Sequence, residues 1–290
     1  MGKSLAERYP VARAAFEEAD SALGFALSAM CFEGPEDALK LTENTQPALL
    51  AVSTAALRVL AEHGFAPDYV AGHSLGEYSA LVAAGSLQFA DAVRLVRQRG
   101  RYMQEAVPAG VGAMAALLRL PEGALDGVLQ QAARGEVVSA ANLNAPDQVV
   151  IAGHAGAVNR AIELAKAAGA RRAILLQVSA PFHCALMKPA QERLAIDLNA
   201  TDFSDLTCPL VNNWRALEVR TGAAARQGLY EQVPNPVRWA ESIRYLAAQG
   251  VQRFIEVGAG GVLTGLLRSV DASLQGYRFG DSADLEKLSG

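Results

Sequence analysis

Residues 70–80 read VAGHSLGEYSA: an apolar pair runs into a serine with glycine two positions before it and two after. Gly72-His73-Ser74-Leu75-Gly76 fits the G-x-S-x-G pattern of a nucleophile elbow, in which a serine stands on a sharp turn between a strand and a helix. The neighbours supply that context. PDYVAGHS reads as a short buried strand, and LGEYSALVAAG returns to helical spacing and stops at Gly85. Glycine at the flanking positions leaves room where strand and helix approach. Such a turn exposes Oγ, aims the Leu75 N–H at a developing oxyanion and adds the positive end of the following helix. The other reading of Ser74 is an ordinary N-cap for that helix; the strand before and helix after favour the nucleophile.

A serine nucleophile needs a base, and the chain has four histidines. His63 stands at a helix end, His73 adjoins the serine and in an elbow points elsewhere, and His154 closes a strand. His183, in SAPFHCALMKP, lies between a strand and a helix at a domain junction. Elimination favours His183 as the base, with a satisfied core histidine as the plain alternative.

Working outward, residues 89–106 read as a helix on which Phe89, Val93, Val96, Gly100 and Met103 share one arc at about 100° per residue. Arg94 and Arg101 point away from it. Arg99 falls on its border, where a charge needs a reason. Upstream, TQPALLAVSTAALRVLAEHG reads as a helix with Thr45 as N-cap and Gly64 as its stop, and Ser4-Leu5-Ala6-Glu7 has the form of a capping box. Past Pro108 the pattern changes. GAMAALLRL, EGALDGVLQQAA, EVVSAANLNAPDQVVIAGH, AGAVNRAIELAKAAG and RRAILLQVSAP read as strand, helix, hairpin turning at residues 144–147, helix and strand. That is the split βαβ order of a ferredoxin-like unit. It divides the chain into a large α/β subdomain of residues 1–108 and 182–290 and an inserted ferredoxin-like subdomain of residues 109–181. The rest reads as a helix from about Leu186, the strand CPLVNNW, an irregular stretch, the helix NPVRWAESIRYLAAQG, the strand RFIEVG and the helix VLTGLLRSV.

Composition excludes some classes. The 290 residues are 51% hydrophobic and 19% charged, with a net charge of -4. That supports a sizeable core and gives no overall basic field to hold nucleic acid. No apolar run reaches membrane-spanning length, and MGKSLAERYP lacks a signal-peptide hydrophobic region, so a cytoplasmic protein is expected. Cys31, Cys184 and Cys208 are odd in number and have no metal-ligand spacing, so free thiols and no metal site are expected.

The segments ENTQPALL, AGHSLGEYSALVAAG, ADAVRLVRQRGRYMQEAVP, GAMAA, NLNAPDQVVIAGH, VSAPFHCALMKPA and NPVRW resemble, in order, those of the malonyl-CoA:acyl carrier protein transacylases of bacterial fatty-acid synthesis. The resemblance covers about residues 1–268. It implies an α/β-hydrolase-like large subdomain with a parallel sheet and a nucleophile elbow. It also implies an acyltransferase that moves malonyl from malonyl-CoA to the phosphopantetheine thiol of acyl carrier protein through a malonyl-serine. In that scheme Ser74 is the nucleophile and His183 the base and then the acid. Gln232 orients the histidine in place of a triad aspartate, Arg99 meets the malonyl carboxylate, and Gln46 lines the site. The Arg99 role also has a physical reason, since a planar guanidinium gives a carboxylate two charge-assisted hydrogen bonds in a site with little water. The implied partners are malonyl-CoA and an acidic carrier protein; no cofactor, nucleic acid or membrane is implied, and a monomer is expected. Arg171, Arg172 and Lys188 are candidate carrier contacts or, equally, ordinary surface charges.

The sequence departs from the resemblance in two places. The family has a short strand and a Gly-Gln-Gly-Ser-Gln turn before the segment matching GKSLAERYP, and the turn supplies a second oxyanion donor; the sequence as written shows neither. It is therefore expected to describe a weak, inactive or poorly stable enzyme. Ala259 and Gly261 stand where the family usually has proline and lysine. Two competing readings remain. One is a serine esterase or thioesterase, although those run Ser, Asp or Glu, then a late His, and no histidine follows His183. The other is a scaffold that only docks carrier protein.

Overall fold

The computed structural model describes residues 1–178 and 180–288. Helices α1 (Lys3–Arg8), α2 (Pro10–Leu23), α3 (Leu27–Glu33) and α4 (Glu36–Lys40) lead into the long α5 (Thr42–Glu62). The short strand β1 (Val70–Ala71) follows, then α6 (Leu75–Ala83) and α7 (Phe89–Glu105). α5 presents Ala48, Ala51, Val52, Ala55, Ala56 and Val59 to the core, all fully buried, and their small side chains let α2 and α7 pack close. Gly100 takes this furthest. A Cβ there would lie 2.6 Å from Glu43 Cα, so glycine is what lets α7 cross the start of α5.

Two helix starts differ from expectation. α1 begins at Lys3 with Gly2 in the left-handed region as N-cap, and Ser4 Oγ donates to Asp281 at 2.6 Å instead of capping. α5 begins at Thr42, so Thr45 lies inside it and donates to Leu39 O at 2.6 Å. In both cases the helix starts upstream of the expected cap, so the hydroxyl lies inside the first turn and donates to a nearby oxygen.

The next segment is β2 (Gly112–Leu118), α8 (Ala124–Ala133), β3 (Val138–Ala145), β4 (Gln148–His154), α9 (Ala155–Ala167) and β5 (Arg172–Leu175). Its strands form an antiparallel sheet in the order β3-β4-β2-β5, the arrangement of a split βαβ unit. Leu117, Ile151, Val128, Val158 and Ala161 make a core of its own. β5 is shorter than expected, and Ser179 of that stretch lies outside the described residues.

The chain then forms α10 (Lys188–Ala200), β6 (Leu210–Val211), β7 (Glu218–Val219), α11 (Gly222–Gln232), α12 (Trp239–Ala248), β8 (Arg253–Val257), α13 (Val262–Val270) and β9 (Gln275–Phe279). β1 pairs parallel with β6, and β8 parallel with β9, as two separate ladders; β6 also pairs antiparallel with β7. Much of the stretch read as irregular is α11, capped by Thr221 accepting from Ala224 N. Gly222 and Gly228 hid it. A Cβ at Gly222 would lie 2.2 Å from Phe203 O, so tertiary crowding demands a residue with poor helix propensity. β9 was not expected either, and α12 starts at Trp239, four residues later than read, because Pro236 and Val237 extend towards β3 instead.

Candidate active site

β1 delivers the chain to Ser74, which has φ 52° and ψ −105°. A non-glycine residue there is strained, and the surrounding structure has to hold it. Gly72 is required, since a Cβ on it would meet Gly76 C and O at 2.0 Å. Gly76 itself has open space around its would-be Cβ, so only the first glycine of the motif answers to crowding, and what crowds it is the backbone of residues 76–77. Asn213, fully buried just after β6, clamps both sides of the turn. Its Oδ1 accepts the Ser74 N–H at 2.6 Å, and its Nδ2 donates to Gly72 O at 2.7 Å.

Ser74 occupies the N-cap position of α6, yet its side chain makes no capping bond. Its Oγ lies 2.7 Å from His183 Nε2. His183 has φ 58°, is 3% exposed, and places Nδ1 3.0 Å from Gln232 O. A carbonyl only accepts, so Nδ1 carries the proton and Nε2 is free to take the serine's. Burial, and then the nearby Arg99 charge, push His183 down to about 3. Gln232 therefore orients the histidine through its backbone carbonyl, and its side chain does something else.

Arg99 sits on α7, one residue before the close crossing at Gly100, and is 2% exposed. It is more buried than the border position suggested. Its guanidinium donates to Gln46 Oε1 at 2.6 Å, to Ser74 Oγ at 3.0 Å and to Gln232 Oε1 at 2.9 Å, and it lies over the Tyr78 ring. Burial lowers its pKa, and among the described residues it makes no ion pair and its Nε has no partner. A buried cation whose direct hydrogen-bond partners are all neutral, with its nearest carboxyl, Glu77, reached only through Gln232, is chemically suited to receive an anion beside the nucleophile.

The structure thus gathers Ser74, His183, Gln232, Arg99 and Gln46 in one cluster, and Leu75 opens α6 with no hydrogen bond to its N–H among the described residues. An acyl group on Oγ would find a base 2.7 Å away, an unpaired backbone donor next in chain, and a guanidinium at 3.0 Å. The other histidines lie elsewhere in role. His73 Nε2 is 2.8 Å from Asn144 Oδ1 of β3, His63 bonds Val59 O, and His154 bonds Val137 N. Arg171 and Arg172 line a surface pocket of about 320 Å³ with Arg119 and Asp147, and Ser74 does not line it.

Three contributors were missed in the sequence. Asn213 carried no local signal. Glu77, fully buried one turn beyond Ser74, did carry one, a carboxylate on an otherwise apolar helix face. Asn144 was read only as a turn residue.

The acyl transferase domain family matches residues 1–276. Malonyl CoA-acyl carrier protein transacylase of Escherichia coli (strain K12) is 52% identical over 267 residues, 92% of this chain and 86% of the relative. The protein of the same description from Bacillus subtilis (strain 168) is 50% identical over 287 residues, 99% of this chain and 90% of the relative. An acyl carrier protein S-malonyltransferase structure from Vibrio cholerae superposes with a TM-score of 0.97 at 46% identity, covering 99% of this chain and 94% of that one. A malonyl-transacylase solved in complex with its type II PKS acyl-carrier protein gives 0.95 at 47% identity, with 98% and 92% covered.

Proposed function

The chain belongs to the acyl transferase domain family, among the malonyl-CoA–acyl carrier protein transacylases, and from that premise we propose that it moves malonyl groups from malonyl-CoA to the phosphopantetheine thiol of acyl carrier protein. The observation that carries the reading is Arg99: a buried guanidinium on the nucleophile's own oxygen, with no carboxylate in direct contact among the described residues. The second carboxylate of a malonyl ester lies three bonds from Oγ, so the missing anion comes with the substrate.

His183 Nε2 takes the Ser74 proton as Oγ attacks the thioester carbon. The oxyanion forms against the Leu75 N–H at the start of α6. Collapse expels the CoA sulfur, which leaves with the proton from His183. In the second half the carrier's thiol gives its proton to His183 and attacks the malonyl-serine ester, and Ser74 recovers the proton as it leaves. Gln232 O keeps the imidazole in the one tautomer that works in both directions. Every bond made or broken lies among Oγ, the acyl carbon and two thiols, so we assign no cofactor. Gln46 holds one terminal nitrogen of Arg99 and Gln232 the other. We also propose a cytoplasmic monomer; among the described residues no helix is long and apolar enough to cross a membrane.

Weighing the intact protein after mixing with malonyl-CoA tests this. A malonyl adduct that disappears in Ser74→Ala is expected. Free malonate with no adduct marks a hydrolase, and neither product marks a docking scaffold.

A further inference from the structure

Gln232 bridges two charges. Its Oε1 accepts from Arg99 at 2.9 Å, and its Nε2 donates to Glu77 Oε2 at 2.8 Å and to Ser74 O at 3.0 Å. The same Glu77 oxygen accepts the Asn213 N–H at 3.0 Å. α11 passes over Glu77 at Gly228, whose would-be Cβ lies 3.5 Å from Glu77 Oε1. Oε1 itself has no partner among the described residues. A carboxylate that cannot reach water, and leaves one oxygen unpaired, is held for what its other oxygen does.

We infer that Glu77 is a positioning residue for the substrate carboxylate: by accepting from Gln232 Nε2, its Oε2 fixes the amide so that Oε1 faces Arg99 and the guanidinium stays aimed at the nucleophile. A primary amide can flip, and a flipped Gln232 would turn a donor on Arg99, which is itself only a donor. Ser74 O holds one Nε2 hydrogen and Glu77 the other, and the remaining acceptor, Asn213 Oδ1, is a long 3.4 Å away and already takes the Ser74 N–H, so losing Glu77 leaves the amide only loosely fixed. What counts is the acceptor. Burial pushes Glu77 up to about 7, and a proton on the unpaired Oε1 leaves Oε2 free to accept from both neighbours. This inference rests on the reading of Arg99 as the carboxylate receptor.

The test compares Glu77→Leu, which removes the acceptor, with Glu77→Gln, which can keep it, in the full chain. Acyl-enzyme formation is followed with malonyl-CoA and with acetyl-CoA. Glu77→Leu should lower the malonyl-to-acetyl ratio of kcat/KM about tenfold, the scale of one lost hydrogen bond, chiefly through the malonyl KM. Glu77→Gln should restore the ratio to within about threefold of the wild type. Equal losses for both thioesters, no loss, or a Gln variant as impaired as Leu each overturn the assignment. If Glu77→Leu does not fold, Glu77→Met takes its place. Collapse of both overturns it too, because the acceptor then serves the fold alone. Arg99→Ala is run beside them. An unchanged malonyl preference in Arg99→Ala overturns the reading of Arg99 and this assignment with it, whereas a lost preference in Arg99→Ala beside an unchanged one in Glu77→Leu overturns the assignment alone.

Discussion

The four-stranded sheet and the nucleophile elbow are held by opposite means. β2 runs in unbroken register with β4 from Gly112 opposite His154 to Leu118 opposite Gln148, over a core that includes Leu117 and Ile151. A backbone ladder of that length fixes the strand's register, and the apolar side chains buried beneath it supply the stability. β1 pairs with β6 at only two positions, Val70 with Leu210 and Ala71 with Val211. Just beyond it the strained turn is fixed by amides and a carboxylate: Asn213 on Ser74 N and Gly72 O, Gln232 Nε2 on Ser74 O, Glu77 beneath both. The strained backbone at Ser74 is thus held by side-chain bonds that single substitutions can remove. Changes in the sheet should affect stability, and changes around the elbow should affect chemistry.

The largest effect expected is at His183. Removing the acceptor 2.7 Å from Oγ with His183→Ala should slow malonyl transfer about 10²–10⁴-fold with the far-ultraviolet spectrum unchanged. Arg99→Ala should cost malonyl-CoA about 2–5 kcal/mol and narrow or reverse the preference over acetyl-CoA, read from competing acylation rates. Leu117→Ala, in the fully buried core of the sheet, should lower unfolding stability by about 2–5 kcal/mol and leave that preference alone. A shifted preference in the Leu117 variant would break the contrast between the two regions. Asn213→Ala sharpens it. Two bonds to strained backbone go at once, so stability should fall by about 1–3 kcal/mol and kcat should fall with it; a stability loss at constant kcat would place Asn213 with the sheet.

The same contrast governs what could be read from the sequence. Periodicity reports elements whose apolar faces repeat, and so α7 and the order of β2 to β5 were legible. Ser74 announced itself because an elbow requires glycine at position 72, and His183 because few histidines compete. Arg99 stood out as a charge beside an apolar arc. Asn213 and Gln232 act through contacts across 139 and 158 positions of sequence. Nothing local distinguishes such an asparagine from a turn residue. The role of Gln232 came only by resemblance, and its division into a carbonyl for His183 and an amide for Arg99 and Glu77 needed coordinates. α11 was lost because it carries glycines, one of them demanded by packing, and Ser4 and Thr45 misled because their helices start upstream of them, at Lys3 and Thr42.

The smallest effect is one in which two groups of the elbow oppose each other. Burial raises Glu77 from 4.5 to about 7, so the folded chain binds that proton more tightly than the unfolded one. Its contribution to stability is full below pH 4.5 and is lost as pH rises to about 7. Burial and then Arg99 lower His183 from 6.5 to about 3, which gives the reverse: a contribution full above pH 6.5 and lost as pH falls to about 3. Between pH 4.5 and 6.5 the two slopes have opposite sign, and this pair should add little net pH dependence to the wild type. Each variant uncovers the other group. Glu77→Gln should gain stability with rising pH up to 6.5, and His183→Ala should lose stability with rising pH from 4.5 to about 7. Denaturant melts across that range read both slopes. Parallel curves for the wild type and the two variants would mean that the elbow's buried charges do not set its response to pH, and that the electrostatic half of the contrast with the sheet is wrong.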